Sequence, residues 1–316
     1  MSLAPPAKYR PFLSGKHAVS PGLKPLKTDF GNGWVDRCIF QIDQNYSQFG
    51  QNKQACRREN IAKYYQQSGE SAQTLRVIHQ FIAQQLAAEY PNSFIYQYAQ
   101  NVNQLQNHLR NTTLRWSAEE KLLSDNKYHS VLDALADQVP EDLAVWQLSD
   151  QCDYVSTIHL CAPNHWAPAE KVGKPFSAIH EPVAGMDKLR KSYRPMLSSL
   201  LQPKTWVRFA WGLSTDNRLN HHPEPPPDWN ETDWRGRSFD PANPILFVRI
   251  ERQTLTGFPR VNAVLFTIRT YFTDVKDFAA SEKQALIEAL NSMSEVTLRY
   301  KGLLNDKDKI IHYLSR

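Results

Sequence analysis

Ile245-Leu-Phe-Val-Arg-Ile-Glu-Arg-Gln-Thr-Leu255, then Thr256-Gly-Phe-Pro-Arg260, then Val261-Asn-Ala-Val-Leu-Phe-Thr-Ile-Arg-Thr-Tyr-Phe-Thr273 is the stretch that sets the fold class. Its two outer runs are rich in β-branched and aromatic residues, which suit a pleated, half-buried surface. The Gly/Pro segment between them is too short for a crossover helix, so the runs are expected to pair antiparallel. Side chains alternate along a strand, so Val248, Ile250, Arg252 and Thr254 share one face and Arg249, Glu251, Gln253 and Leu255 the other. In the second run Phe266, Ile268 and Thr270 oppose Leu265, Thr267, Arg269 and Tyr271. The expectation is a partly polar surface of Arg249, Glu251, Gln253, Thr267, Arg269 and Tyr271 across both strands. One reading is a solvated face with cross-strand ion pairs, each contributing ~0.2–1 kcal/mol. The other is a pocket wall in which arginine grips an anion and Glu251 takes a cation or a proton.

Outward from this hairpin, Leu143–Leu148, Tyr154–Cys161 and Thr205–Leu213 read as three further strands, the first two separated by the turn material Ser149-Asp-Gln-Cys-Asp153. Five strands in hairpin-like order, without a helix after each, exclude a doubly wound parallel sheet and indicate an α+β fold. Helices flank the sheet. Ser71 to Tyr90 puts Leu75, Ile78, Ile82 and Leu86 on one face and stops at Pro91. Asn92 to Leu122, rich in Gln and Asn, is also read as helical. Ser130-Val-Leu-Asp133 and Ser281-Glu-Lys-Gln284 resemble capping boxes that open a short helix and a C-terminal one. Residues 1–33, with Pro5, Pro6, Pro11, Pro21 and Pro25, read as an extended arm that Tyr9, Phe12, Leu13 and Leu26 anchor to the body. The expected organisation is one compact unit: arm and helices over 1–140, sheet core over 141–275, and a C-terminal helix over 276–316. Residues 214–244, with His221-His222, Trp229 and Trp234, are too long for a plain connection and read as a lid or binding loop.

Composition narrows the function classes. The 316 residues are 41% hydrophobic and 22% charged, as in soluble globular proteins. No apolar run is long enough to span a bilayer, and the N-terminus shows no signal-type apolar stretch, so a cytoplasmic, non-membrane protein is expected. A net charge of +5 without a basic run argues against nucleic acid. Cys38, Cys56, Cys152 and Cys161 lie far apart without a C-x-x-C pair, which suggests reduced thiols.

Phe176-Ser-Ala-Ile-His-Glu-Pro-Val-Ala-Gly185 holds the sharpest chemical signal. Pro182 lacks an N–H and biases Glu181 away from helix, so His180 stands where an element gives way to a turn. A neutral imidazole there is a natural ligand for iron or zinc; the bland alternative is a structural histidine. His159-x-Cys161-x-x-x-His165 looks like a metal site, but His165 lies past Pro163 and no second compact ligand pair accompanies it, so zinc is disfavoured. His221-His222 reads as a solvated pair. There is no G-x-S-x-G, G-x-G-x-x-G or Walker loop.

Leu160-Cys-Ala-Pro-Asn-His-Trp166, Glu170-Lys-Val-Gly-Lys174, Ile179-His-Glu-Pro-Val-Ala-Gly185, Arg249-Ile-Glu-Arg-Gln-Thr-Leu255 and Leu265-Phe-Thr-Ile-Arg-Thr-Tyr271 recur in that order. In these motifs the chain resembles the haem-dependent oxidative N-demethylase family. Pro11-Phe12, Leu23-Lys-Pro-Leu26, Glu141-Asp142 and Tyr300-Lys-Gly302 extend the likeness over nearly the whole chain. The resemblance implies a PAS-like five-stranded antiparallel sheet with flanking helices, holding haem b. It implies an oxidoreductase of monooxygenase type that takes dioxygen and external electrons to demethylate a small secondary amine such as dimethylamine, releasing formaldehyde. By it, His180 is the axial iron ligand, although Ala184 stands where the family motif has proline. Arg249, Arg252 and Arg269 become candidates for the haem propionates or iron-bound oxygen, and Glu251 and Tyr271 for binding the ammonium and removing its proton. With no nucleotide-binding motif of its own, the chain would receive NADPH-derived electrons through a separate flavin or iron–sulfur reductase. A haem-binding PAS-type sensor, or a ligand-binding protein without turnover, is the competing function.

Overall fold

The computed structural model describes residues 3–18, 20–124, 127–148, 152–181, 183, 193–235 and 238–316. Numbered along the chain, the strands are Lys24–Pro25 (β1), Tyr65–Gln67 (β2), Phe94–Ala99 (β3), Val102–Asn107 (β4) and Thr112–Ser117 (β5). Asp142–Leu148 (β6), Asp153–His159 (β7), Thr205–Ser214 (β8), Phe247–Phe258 (β9) and Ala263–Asp274 (β10) follow. The helices are Tyr46–Tyr64 (α1), Ala72–Glu89 (α2), Val131–Ala136 (α3), Phe176–Ile179 (α4) and Tyr193–Leu200 (α5). Glu231–Arg235 (α6), Ala280–Asn291 (α7), Glu295–Tyr300 (α8) and Lys307–Leu314 (α9) complete the described set.

The expected hairpin forms as β9 and β10, and the α+β class holds. The large sheet has seven strands rather than five, in the antiparallel order β1-β8-β9-β10-β6-β7-β2. The five strands read from sequence are its centre; two short strands, β1 from the arm and β2 after α1, cover its edges. Short, covered edges leave few unpaired backbone groups for adventitious pairing.

The reversal between β9 and β10 falls later than the Gly/Pro turn expected over Thr256–Arg260. β9 runs straight through Gly257, and the chain turns on the single 3₁₀ turn Pro259–Val261 and on Asn262, which is left-handed at φ 48°. Gly257 serves another need: a Cβ there would sit 2.0 Å from the Leu200 carbonyl oxygen and 2.4 Å from that of Gln202. Only a residue without a side chain lets the backbone after α5 lie this close to the strand.

Asn92–Leu122 is not helical. It folds as the three-stranded meander β3-β4-β5. Phe94, Leu105, Leu114 and Trp116 point inward, but so do the buried Asn103 and Asn107. Asn103 accepts the Tyr96 hydroxyl, and Asn107 donates to Tyr46 and Gln138. Polar residues on the core face hid the period of two. Helix α1 gave no apolar stripe either, because its buried side includes Gly50 and Lys53 beside Phe49 and Cys56. The Ser130 cap forms as expected, its hydroxyl accepting the Asp133 N–H. At the C-terminus three helices replace the single one expected, and α7 starts earlier: Glu282 accepts the Ala279 N–H at 2.9 Å.

Register decides what each face of the large sheet carries. Directly opposed residues on antiparallel strands lie on the same face. Arg269 opposes Arg252, Thr270 opposes Glu251, and Phe272 opposes Arg249. One face therefore carries Arg249, Glu251, Gln253 and Leu255 with Phe266, Ile268, Thr270 and Phe272. The other carries Ile250, Arg252 and Thr254 with Thr267, Arg269 and Tyr271. The polar surface expected across both strands is split between the two faces. Its two halves were joined by assuming a register one residue away from the real one. The first face packs on α4 and α5 through Trp146, Phe176, Ile179, Leu197, Leu255 and Ile268. The second is covered by the arm and C-terminal helices through Tyr9, Phe12, Ile250, Tyr271 and Leu286.

Candidate functional site

His180 closes α4, and its ring stacks on Phe176 with centroids 4.0 Å apart and lies parallel to Trp146 at 6.4 Å. Its Nδ1 is 2.9 Å from the Phe176 carbonyl oxygen, which can only accept, so Nδ1 carries the proton and Nε2 keeps its lone pair. A backbone acceptor on one ring nitrogen is the usual device for fixing the tautomer of a metal-binding histidine. Burial lowers its pKa, the Phe176 hydrogen bond works against this, and the charges of Lys171 and Arg208 add to the lowering, giving about 4. The imidazole is therefore neutral near pH 7. Glu181 and Val183 are described beside it; Pro182, Ala184 and Gly185 lie outside the described residues.

The sheet face near His180 is apolar with a cationic element. Arg208 opposes Gln253 across β8 and β9, and Trp206 opposes Leu255, so both stand on the face that α4 covers. The Arg208 Nε is shielded from water and has no hydrogen-bond partner among the described residues, and the same holds for the indole nitrogens of Trp146 and Trp206. Burial lowers the Arg208 pKa, and the charge of Glu251 opposes the lowering. A shielded guanidinium N–H without an acceptor is costly, so the arrangement suits an anionic group from outside the chain. The sequence reading missed Arg208 and Trp206. Alternation within Thr205–Leu213 already puts them on one face, but only the pairing with β9 shows which face that is.

Along the same face, Glu251 accepts from the Gln253 amide at 3.0 Å and lies 3.9 Å from the Arg249 Nε. Arg249 is buried, donates to the Ala162 carbonyl at 2.8 Å, and contacts His221 Nδ1 at 3.0 Å. His221 Nε2 in turn meets Asp216 at 2.9 Å. His221 and His222 are thus buried, at 3% and 4% exposure, not the solvated pair expected. Trp234 anchors the same loop by donating to the His222 carbonyl, and Arg218 stacks on Trp229 and Trp234.

Arg252, Arg269 and Tyr271 lie on the opposite face. Arg252 bonds Asp36 and the Cys38 and Ile39 carbonyls; Arg269 takes both oxygens of Asp43, at 2.8 and 2.9 Å. Burial raises the Tyr271 pKa far above the usual phenol range, though Arg269 opposes the rise, so the hydroxyl stays protonated. Of the expected site residues, the fold gathers His180, Arg249 and Glu251 on one face with Arg208, and separates Arg252, Arg269 and Tyr271 from them. A cleft of about 310 Å³ lined by Leu148, Asp153, Leu197, Leu201 and Asn262 contains none of these residues.

Among the described residues no helix is long and apolar enough to cross a membrane. The family profile described as haem-dependent oxidative N-demethylase, alpha subunit-like, matches residues 34–311. That span includes α4, the covered sheet face and every residue of the site, and the chain belongs to the haem-dependent oxidative N-demethylase alpha subunit-like family.

Proposed function

We propose that this chain holds haem b and acts as the oxidising subunit of a monooxygenase-type N-demethylase. Its substrate is a small secondary amine such as dimethylamine, and its products include formaldehyde. The observation that carries the reading is a neutral His180, tautomer fixed by Phe176, against an apolar sheet face that also bears Arg208, whose shielded Nε has no partner among the described residues. The residues fit the cofactor's three needs. His180 Nε2 would hold the iron, Trp146, Phe176, Leu255 and Ile268 would give apolar walls, and Arg208 would give a cation for a propionate. The strand arrangement supports a PAS-like core: numbered within β6 to β10, the order is 2-1-5-4-3, with the helical crossover between the second and third strands.

When bound, the haem supplies dioxygen activation and electron uptake. The chain supplies position and charge. Glu251, oriented by the Gln253 amide, binds the substrate ammonium and accepts its proton, which frees the nitrogen lone pair for oxidation. Proton transfer falls to Glu251 rather than Tyr271, because Tyr271 is on the other face. Arg249, held by the Ala162 carbonyl and His221, keeps its guanidinium 3.9 Å from Glu251 and fixes that end of the face. Electrons from NADPH arrive through a separate flavin or iron–sulfur reductase, since the sequence has no nucleotide cradle.

The test is a visible spectrum and a product assay. Protein made with haem supplied should show a Soret band and release formaldehyde only with dimethylamine, dioxygen and a reductase present. His180→Ala should lose the wild-type spectrum. An unchanged spectrum in that variant, or haem binding without amine turnover, would sink the ligand assignment or the enzyme reading respectively.

A further inference from the structure

His159 and Cys161 share one side of the chain as it leaves β7, and the fold brings them the partners that sequence spacing lacks. Asp142 begins the neighbouring strand β6, and a carboxylate oxygen of Asp142, a ring nitrogen of His159 and the Cys161 sulfur all lie within 4.8 Å of one another, all three residues buried. The His159 Nδ1 to Cys161 Sγ separation is 3.9 Å. Bond lengths of ~2.0–2.3 Å in a tetrahedral zinc site put its ligand atoms roughly 3.4–3.8 Å apart, so small rotations close this set on an ion. Cys56, on the buried side of α1, lies next to this set with its Sγ 3.7 Å from the Cys161 carbonyl oxygen, and rotation of its side chain brings that second thiol to the ion.

We propose that His159 Nδ1, Cys161 Sγ and an Asp142 oxygen, closed by Cys56 Sγ, form a buried site for a divalent transition metal of zinc type. The surroundings have the form such sites take. His159 Nε2 is 3.1 Å from Asp133, which Arg57 also engages, so the carboxylate orients the ring and leaves Nδ1 toward the sulfur. The Asp142 oxygens accept the Cys161 and Ala162 N–H groups at 2.7 and 2.9 Å, which fixes the carboxylate against the cysteine. Charge also balances. Asp133 is matched by Arg57 and Asp142 by the buried Lys53 nearby, so two thiolates neutralise the dication, while two thiol protons and the Nδ1 proton of the His159 imidazolium leave to solvent. The site joins α1, β6 and the start of the crossover that carries His180, so the metal pins the base of that crossover. The inference is independent of the haem reading.

The test uses full-length protein with its haem, zinc ion as the probe, and a readout at the zinc absorption edge, which iron does not disturb. Stoichiometric zinc should survive desalting, with a sulfur shell near ~2.3 Å and a nitrogen or oxygen shell near ~2.0–2.2 Å. Bound zinc should protect Cys56 and Cys161 from alkylation and leave the exposed Cys152 reactive. Cys161→Ser and His159→Gln should weaken zinc retention at least tenfold, and Cys152→Ser should not. Loss of zinc on desalting, or a shell of light atoms only, would overturn the proposal in the wild-type protein whether or not the variants fold. Equal retention in folded Cys161→Ser would overturn it too.

Discussion

Arg252 and Arg269 stand directly opposite one another on β9 and β10, both with side chains sealed from solvent. Like charges in that relationship repel, and they are tolerated because Asp36, Asp43 and Glu141 converge on the pair. Asp36 and Asp43 both belong to the segment that follows the N-terminal arm, so the two arginines clamp that segment to the sheet. Asp43→Ala leaves Arg269 buried with an uncompensated charge. It should lower stability by about 3–5 kcal/mol, the range for breaking a buried pair. Urea unfolding followed by tryptophan fluorescence measures this, and a loss below about 1 kcal/mol would mean that the ion pair does not hold the segment.

Arg208 has the opposite signature: its Nε is shielded but has no hydrogen-bond partner to lose among the described residues. Arg208→Met should change apoprotein stability by less than about 1 kcal/mol, since it removes desolvation cost as well as charge. The same substitution should weaken haem retention roughly tenfold or more, the worth of a charge-assisted hydrogen bond to a carboxylate. Transfer of haem to an acceptor globin gives the rate. Retention equal to wild type would move the propionate contact to another cation.

Gly257 tests the packing of the crossover on β9. Gly257→Ala places a methyl group 2.0 Å from the Leu200 carbonyl oxygen, against backbone rather than a side chain that can swing away. The backbone after α5 must shift, at about 1–3 kcal/mol. The thermal midpoint should fall and α5 should gain amide exchange, whereas a Gly257→Ala protein with wild-type exchange in 193–204 would show that this contact is slack.

Asp216 ties the 214–244 loop through His221 and Arg218. Burial raises its pKa, but the hydrogen bonds of His221 and Arg218 outweigh that and hold it well below the usual carboxylate range. A carboxyl depressed in the fold stabilises it fully above the unfolded value of about 3.9, and that contribution is lost as pH falls through the folded value. Acidification below about pH 4 should therefore loosen the loop and change the fluorescence of Trp229 and Trp234. Asp216→Asn should remove this transition; its persistence would assign the acid step to other carboxylates. The partial exposure of Asp216 keeps the effect modest.

Local composition was enough for several features. β-Branched alternation located the strands from Leu143 to Thr273, the Ser130 cap fixed the start of α3, and Ile179-His180-Glu181 marked the ligand candidate before any fold was known. These depend on a residue and its near neighbours, and a sequence displays them directly. Where core positions were polar, as at Asn103, Asn107 and Lys53, the periodic signal vanished and both the meander and α1 went unread.

Pairing between distant strands was decided only by tertiary structure. The Leu255–Val264 connection alone allowed two registers, and a shift of one residue moves Arg269 and Tyr271 to the face opposite Glu251. Long-range pairing also sets Arg208 against Gln253 and carries Asp142 to His159 and Cys161. The sequence by itself determined which residues bear chemistry in this protein. Which of them share a face was settled by hydrogen bonding between strands far apart in the chain, because a period of two says that neighbours alternate but not toward what.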